Sequence, residues 1–173
     1  GTATALITPF TEDDKVDVQA IRNIVDMQIA NGINALVALG TTGEPATLSE
    51  EEKEQIVRVC VEQTSGKIPL IVGAGSNSTR QAVETCRMAQ KLGADALLVV
   101  TPYYNKCTQE GLVEHYGAIA EATSLPIICY NVASRTGVNI LPETFARIAT
   151  EHKNVVAIKE ASGNMEQIEQ CLR

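Results

Sequence analysis

Lys159 closes the apolar run Val155-Val156-Ala157-Ile158. An amine at the end of such a run stands where water is scarce, and desolvation disfavours the ammonium and frees the nitrogen lone pair. A neutral amine attacks a ketone and forms a Schiff base. A lysine at a strand end is more commonly a solvated head on a buried stem, so this one gains meaning only in company. Tyr130 ends a neighbouring apolar run, and a phenol both donates and accepts the protons that imine formation moves. Its plainer role is a tyrosine whose hydroxyl bonds to backbone. Thr41 and Thr42 lie between Gly40 and Gly43, where glycines let the backbone approach a ligand and offer N–H groups to a carboxylate. A threonine hydroxyl there can link two phenols in a relay; a turn followed by a helix cap explains the same residues. Tyr103 and Tyr104 follow Pro102 and suit a pocket wall, a reach into a neighbouring subunit, or loop packing. Arg135, beside Gly137, carries a fork that binds a carboxylate at two points, or is a surface arginine. Glu44 and Glu160 offer an acid/base pair that their spacing does not demand. Glu50–Glu52 read as the solvated first turn of a helix. Amine, phenols, hydroxyl and guanidinium together suit an imine-forming lyase or aldolase acting on a small keto acid.

The elements that must position these groups alternate along the chain. Short runs, apolar throughout, read as parallel strands covered on both faces: Ala3–Thr8, Asn34–Leu39, Ile68–Gly73, Ala94–Val100, Pro126–Tyr130 and Val155–Lys159. Helical patterns fill the gaps. Asp17 caps the first and Gly32 follows its end. Ser49 with Glu52, and Ser78 with Gln81, form capping boxes. Thr108 precedes a fourth helix, Pro142 opens a fifth, and a sixth begins near Asn164. The strands start about every 30 residues, a βα repeat that gives a parallel sheet with right-handed crossovers. No G-x-G-x-x-G follows the first strand, so a doubly wound dinucleotide fold lacks its signature. The expected fold is α/β, a TIM (β/α)8 barrel, with about six of its eight units in residues 1–173. Such barrels typically run to about 250 residues, so these residues read as a single barrel domain that stops short of closure. In parallel α/β folds the site lies at the C-terminal ends of the strands, where Thr41, Thr42, Glu44, Tyr103, Tyr104, Tyr130, Arg135, Lys159 and Glu160 fall.

Composition narrows the partners. The 173 residues are 45% hydrophobic and 20% charged, with a formal net charge of -7. That charge opposes nucleic acid and anionic membrane surfaces. No apolar run reaches the ~18 residues of a membrane span, and no leader peptide is visible. Cys60, Cys86, Cys107, Cys129 and Cys171 are odd in number and lack CxxC spacing, which fits reduced thiols in a cytoplasmic protein. His115 and His152 have no ligand-spaced neighbours, so no metal site is expected.

The stretches ALITPF (5–10), GTTGEPATLSEEE (40–52), VTPYYN (100–105), YNVASRTG (130–137), LPET (141–144) and IKEASGN (158–164) resemble the dihydrodipicolinate synthase (4-hydroxy-tetrahydrodipicolinate synthase) family. That family lies within the N-acetylneuraminate lyase superfamily of pyruvate-dependent aldolases. The resemblance spans nearly the whole chain in the family's order. It implies a (β/α)8 barrel with a C-terminal helical region, usually in a homotetramer of tight dimers. It implies condensation of pyruvate with L-aspartate 4-semialdehyde in lysine and diaminopimelate biosynthesis. Neither metal nor organic cofactor is implied, only a covalent pyruvate imine. Residue by residue, Lys159 matches the Schiff-base lysine, Tyr130 the proton-relaying tyrosine and Thr41 the relay hydroxyl. Tyr104 matches the tyrosine that enters the partner subunit's site. Thr42 matches a pyruvate-carboxylate contact, and Arg135 the arginine holding the semialdehyde's carboxylate. Four positions depart from the pattern. Ala133 stands where the family usually has Pro. Glu50, Lys53 and Gln81 stand where lysine-inhibited members often carry two His and a Glu, so weak or absent lysine feedback is expected. The alternatives are another pyruvate lyase, acting on sialic acid or a keto-deoxy sugar acid, and an inactive fragment serving as a structural or assembly module. Arg135 and the Tyr103-Tyr104 pair favour the synthase over the first.

Overall fold

The computed structural model describes residues 1–172. Six parallel strands, ordered as in the chain, alternate with helices as expected for a (β/α) barrel. Two compact units divide these elements, Gly1–Gly73 with Met88–Ala96, and Ala74–Arg87 with the residues from Leu97 onward.

The first unit holds β1 (Ala3–Ala5), α1 (Val18–Ala30), β2 (Ala35–Ala38), α2 (Glu50–Thr64) and β3 (Leu70–Gly73). Leu36, Val37 and Ala38 of β2 are buried, which is why the run has no polar alternation. The strands are shorter than their apolar runs. Pro69 has no N–H to give a ladder, so β3 begins at Leu70, while the Pro69 carbonyl still accepts from Leu36 N–H at 3.0 Å. Leu6 lies beyond β1 yet donates to the Val37 carbonyl at 2.9 Å. Strand ends approach closely: a Cβ on Gly73 would lie 2.0 Å from the Leu39 carbonyl oxygen. No side chain fits there, so glycine at this position is a packing requirement. α1 and α2 are joined at their surface by Arg22, which reaches Glu62 at 2.8 Å and Gln63 at 3.0 Å.

α3 (Thr79–Leu92) is divided between the units. The second unit holds β4 (Ala96–Val100, from Leu97), α4 (Gln109–Ala122), β5 (Ile127–Asn131), the single turn α5 (Ala133–Thr136), α6 (Pro142–Glu151), β6 (Val155–Glu160) and α7 (Met165–Cys171). Its core includes Leu97, Val99, Leu112, Ile119, Ile127, Ile140 and Ile148, all essentially inaccessible to water. Tyr116 is fully buried with its hydroxyl donating to the Val99 carbonyl at 2.9 Å, so its polar end is satisfied. All five cysteines are free. Burial pushes the Cys60 and Cys86 thiols up to about 12, which leaves them inert as nucleophiles.

The helix starts follow the capping signals. Asp17 accepts from Ala20 N–H, Thr108 from Gly111 N–H, and Asn164 from Glu166 and Gln167 N–H. Ser49 and Glu52 form the reciprocal box, at 2.8 and 3.2 Å. At α3 the expected Ser78–Gln81 box is rearranged: Ser76 accepts from Ser78 N–H at 3.1 Å and donates to Gln81 Oε1 at 3.0 Å.

His115 is buried with Nδ1 2.8 Å from Thr79 Oγ1 and its ring edge-on to Tyr116. Its Nε2 has no partner among the described residues, and burial holds the imidazole down to about 4. From pH 6.5 down to about 4 the unfolded chain takes up a proton here that the folded chain refuses. Stability therefore falls across that window, by on the order of 3 kcal/mol. Urea midpoints measured against pH are expected to show this slope, and His115→Phe to flatten it. In the first unit, Gly73→Ala is expected to lower unfolding free energy by about 1–3 kcal/mol through overpacking, read from the same denaturation curves.

Candidate active site

β5 and β6 pair in parallel, and their register decides which side chains meet. Ile127 pairs with Val155, but Ile128 pairs with Ala157, so Val156 is skipped. That residue projects to solvent, 59% exposed. Beyond the step the pairs are Cys129 with Ile158, Tyr130 with Lys159, and Asn131 with Glu160. Directly paired residues of parallel strands share a face. Tyr130 and Lys159 therefore stand together, with Lys159 Nζ 4.1 Å from the centroid of the Tyr130 ring. This is a cation–π contact, favourable by about 0.5–1 kcal/mol when solvated. Tyr130 is buried, at 7% exposure, and its ring gives the amine a rigid floor.

The expected burial of Lys159 is corrected here. Its side chain is exposed, because β6 is paired only with β5 among the described residues. Stacking on the ring, rather than desolvation, fixes the amine. It forms no ion pair among the described residues, so its nitrogen is not tied to a carboxylate.

On the opposite face, Asn131 and Glu160 begin a closed polar cluster. Asn131 Nδ2 donates to Glu160 Oε2 and to Asn139 Oδ1, both at 2.8 Å. Asn131 Oδ1 accepts from Ile140 N–H at 3.0 Å. Gln167 of α7 donates to Glu160 Oε2 at 2.9 Å and Asn139 Oδ1 at 3.0 Å, and accepts from Asn139 Nδ2 at 2.8 Å. Ser162 N–H donates to Glu160 Oε1 at 2.6 Å. Burial pushes the Glu160 carboxyl up, but the hydrogen bonds from Asn131, Ser162 and Gln167 outweigh it and hold it below the usual carboxylate range. Glu160 is a fixed anion rather than a proton donor; Glu44 is exposed and belongs to the first unit. Sequence reasoning missed Asn131, Asn139 and Gln167. The available signal was a polar Asn131 closing an apolar run, now found to be wholly buried.

Tyr103, half-buried, and Tyr104 lie on the loop after β4. Tyr104 is 90% exposed with φ of 73°, a left-handed backbone held by its N–H donating to the Thr136 carbonyl at 3.3 Å. Arg135 sits on α5, exposed and without a partner among the described residues. Its stretch forms a single helical turn, closed by Gly137 at φ of 72°. Tyr104, Tyr130, Arg135 and Lys159 all belong to the second unit.

In the first unit, Thr41–Gly43 form a 3₁₀ turn at the end of β2. Leu39 and Glu44 flank it in left-handed conformation. Thr8 Oγ1 donates to the Gly43 carbonyl at 2.7 Å and ties the turn to the segment after β1. Thr41 and Thr42 are exposed, and their N–H groups donate to no backbone carbonyl among the described residues. No group of three or more His, Cys, Asp or Glu among the described residues is placed to hold a metal ion.

Comparison with known proteins gives a consistent result. The dihydrodipicolinate synthetase family matches residues 1–173. The 4-hydroxy-tetrahydrodipicolinate synthase of Phocaeicola vulgatus is 51% identical over 173 residues, which are 100% of this chain and 58% of that protein. The dihydrodipicolinate synthase structure of Thermotoga maritima superposes with a TM-score of 0.95 at 52% identity, covering 98% of this chain and 57% of that one. The chloride-inhibited enzyme of Acinetobacter baumannii, solved with pyruvate, gives a TM-score of 0.96 at 47% identity, covering 99% and 59%. The chain thus spans a little under three fifths of the length of the relatives it matches.

Proposed function

The chain belongs to the dihydrodipicolinate synthetase family, with the fold of a partial TIM (β/α)8 barrel, and from that premise we propose that its protein condenses pyruvate with L-aspartate 4-semialdehyde. The product is 4-hydroxy-tetrahydrodipicolinate. The observation that carries this reading is the Lys159 amine stacked 4.1 Å over the Tyr130 ring at paired strand ends.

In this reading Lys159 Nζ attacks the ketone carbon of pyruvate and water leaves, giving a protonated imine. The methyl carbon gives up a proton to form an enamine. That carbon attacks the aldehyde of the semialdehyde, forming the new C–C bond as the aldehyde oxygen gains a proton. The amine of the semialdehyde then attacks the imine carbon and expels Lys159. The protonated imine is the electron sink, so the scheme calls for neither metal nor organic cofactor. Tyr130 moves the protons, and Thr41 supplies a hydroxyl to that relay. Thr42 takes the pyruvate carboxylate, for which its exposed position and unbonded N–H are suited. Arg135, exposed and unpaired, is free to take the carboxylate of the semialdehyde.

Tyr104 fits the role of a residue given to a second copy of the chain. A ring 90% exposed on a left-handed backbone suits insertion into a neighbour's site, which supports a homo-oligomer. No helix among the described residues is long and apolar enough to cross a membrane, in keeping with a cytoplasmic enzyme. Residues 1–173 are taken as part of one barrel domain. At the positions of the lysine-inhibition contacts, Lys53 pairs with Glu50 at 2.7 Å, which occupies both side chains and supports weak feedback.

Borohydride reduction in the presence of pyruvate, followed by mass spectrometry, is expected to place a reduced pyruvyl adduct on Lys159, absent in Lys159→Ala. No adduct in a folded sample would refute the reading. Tyr130→Phe keeps the ring but removes the proton carrier, and kcat is expected to fall by about 10²–10⁴-fold. Millimolar lysine is expected to leave steady-state turnover of the full-length enzyme nearly unchanged; strong inhibition would overturn the feedback reading.

A further inference from the structure

We infer that Glu160 is a positioning residue for Lys159, acting as a carboxylate clamped by Asn131, Ser162 and Gln167. The inference rests on the reading of Lys159 as the imine-forming amine and adds the group that aims it. Lys159 and Glu160 are neighbours on β6, and consecutive side chains on a strand point to opposite faces. One faces Tyr130; the other enters the polar cluster. Fixing one fixes the backbone from which the other projects.

The ladder to β5 holds that backbone from one side only. After the step at Val156 the ladder of β6 restarts, and β6 has no partner on its far side among the described residues. Glu160 supplies the missing restraint in three directions: to β5 through Asn131, to α7 through Gln167, and to its own following turn through Ser162. The Ala161 N–H adds a bond to the Asn131 carbonyl at 2.8 Å.

The cluster requires an anion. Asn131 uses both N–H groups and its oxygen, and Gln167 does likewise. Three donors converge on the two oxygens of Glu160, which as a carboxylate accepts only. An amide at position 160 would turn an N–H₂ toward at least one of them and leave buried donors unpaired. The charge is absorbed on the face away from Lys159, so it steers the amine without forming an ion pair with it. Displacing a reacting group by about 1 Å costs about 10²-fold in rate, which is the scale on which loss of the clamp acts.

The test uses the full-length protein as Glu160→Gln, Gln167→Met, and the exchange E160Q/Q167E, which restores the contact between positions 160 and 167 with its polarity reversed. The readouts are the rate of pyruvate-adduct formation on Lys159 under borohydride, kcat and KM for pyruvate, and the unfolding midpoint. Glu160→Gln is expected to slow adduct formation and kcat by about tenfold or more, with KM for pyruvate changed by less than about threefold. The exchange is expected to recover part of the loss, so the two substitutions are not additive. Adduct formation at the unmodified rate in Glu160→Gln, or no recovery in the exchange, overturns the inference. Should Glu160→Gln fail to fold, Gln167→Met decides: slowed adduct formation at unchanged KM supports the clamp, and an unchanged rate refutes it. No adduct in the unmodified protein sinks the functional reading and this inference together; equal adduct rates in both sink the inference alone.

Discussion

The contact between the Lys159 amine and the face of the Tyr130 ring is the interaction on which the site of the second unit depends. It is weak in itself, and nothing in the local sequence of either strand secures it. It exists because two parallel strands hold Tyr130 and Lys159 as direct partners on one face, and because the ring beneath is buried and cannot turn aside. The opposite face does the complementary work with amides and a carboxylate. The strand pair thus carries a reactive amine on one side and an anchoring anion on the other, separated by the backbone. This arrangement keeps the two charges from neutralising each other.

Much of the architecture was legible because it is written in local signals. All six strands fall inside the apolar runs or within a residue of them. Asp17, Ser49, Thr108 and Asn164 cap helices as their types and positions foretold. The errors are local as well. Proline at positions 69 and 126 is apolar but cannot donate, so β3 and β5 start later than hydropathy suggests. Ser76 displaces part of the Ser78–Gln81 box because a nearby hydroxyl competes for the same groups, a competition the pattern of Ser and Gln does not reveal.

What sequence reasoning missed at the site is non-local. The cluster of Asn131, Asn139, Glu160 and Gln167 draws on β5, the loop before α6, β6 and α7, and no spacing within the chain announces it. The run Val155-Val156-Ala157-Ile158 has no polar alternation, so a skipped residue within it leaves no trace in the pattern. The exposure of Lys159 was likewise hidden, since an apolar run records that a strand is covered but not how far along its length. Tyr104 could be singled out by type; that its ring stands free on a left-handed backbone could not.

The unpaired Val156 gives β6 an odd sort of tolerance. Its side chain meets water and its backbone lies outside the ladder, so many residues could replace it with little consequence. Even its loss would be absorbed. Without it, Val155 and Ala157 follow one another as Ile127 and Ile128 do, and Lys159 keeps Tyr130 as its partner. An insertion or deletion elsewhere in a strand throws every later side chain to the wrong face; here the chain carries one residue of slack, and the codon for Val156 is the one in β6 that can be dropped without moving the amine.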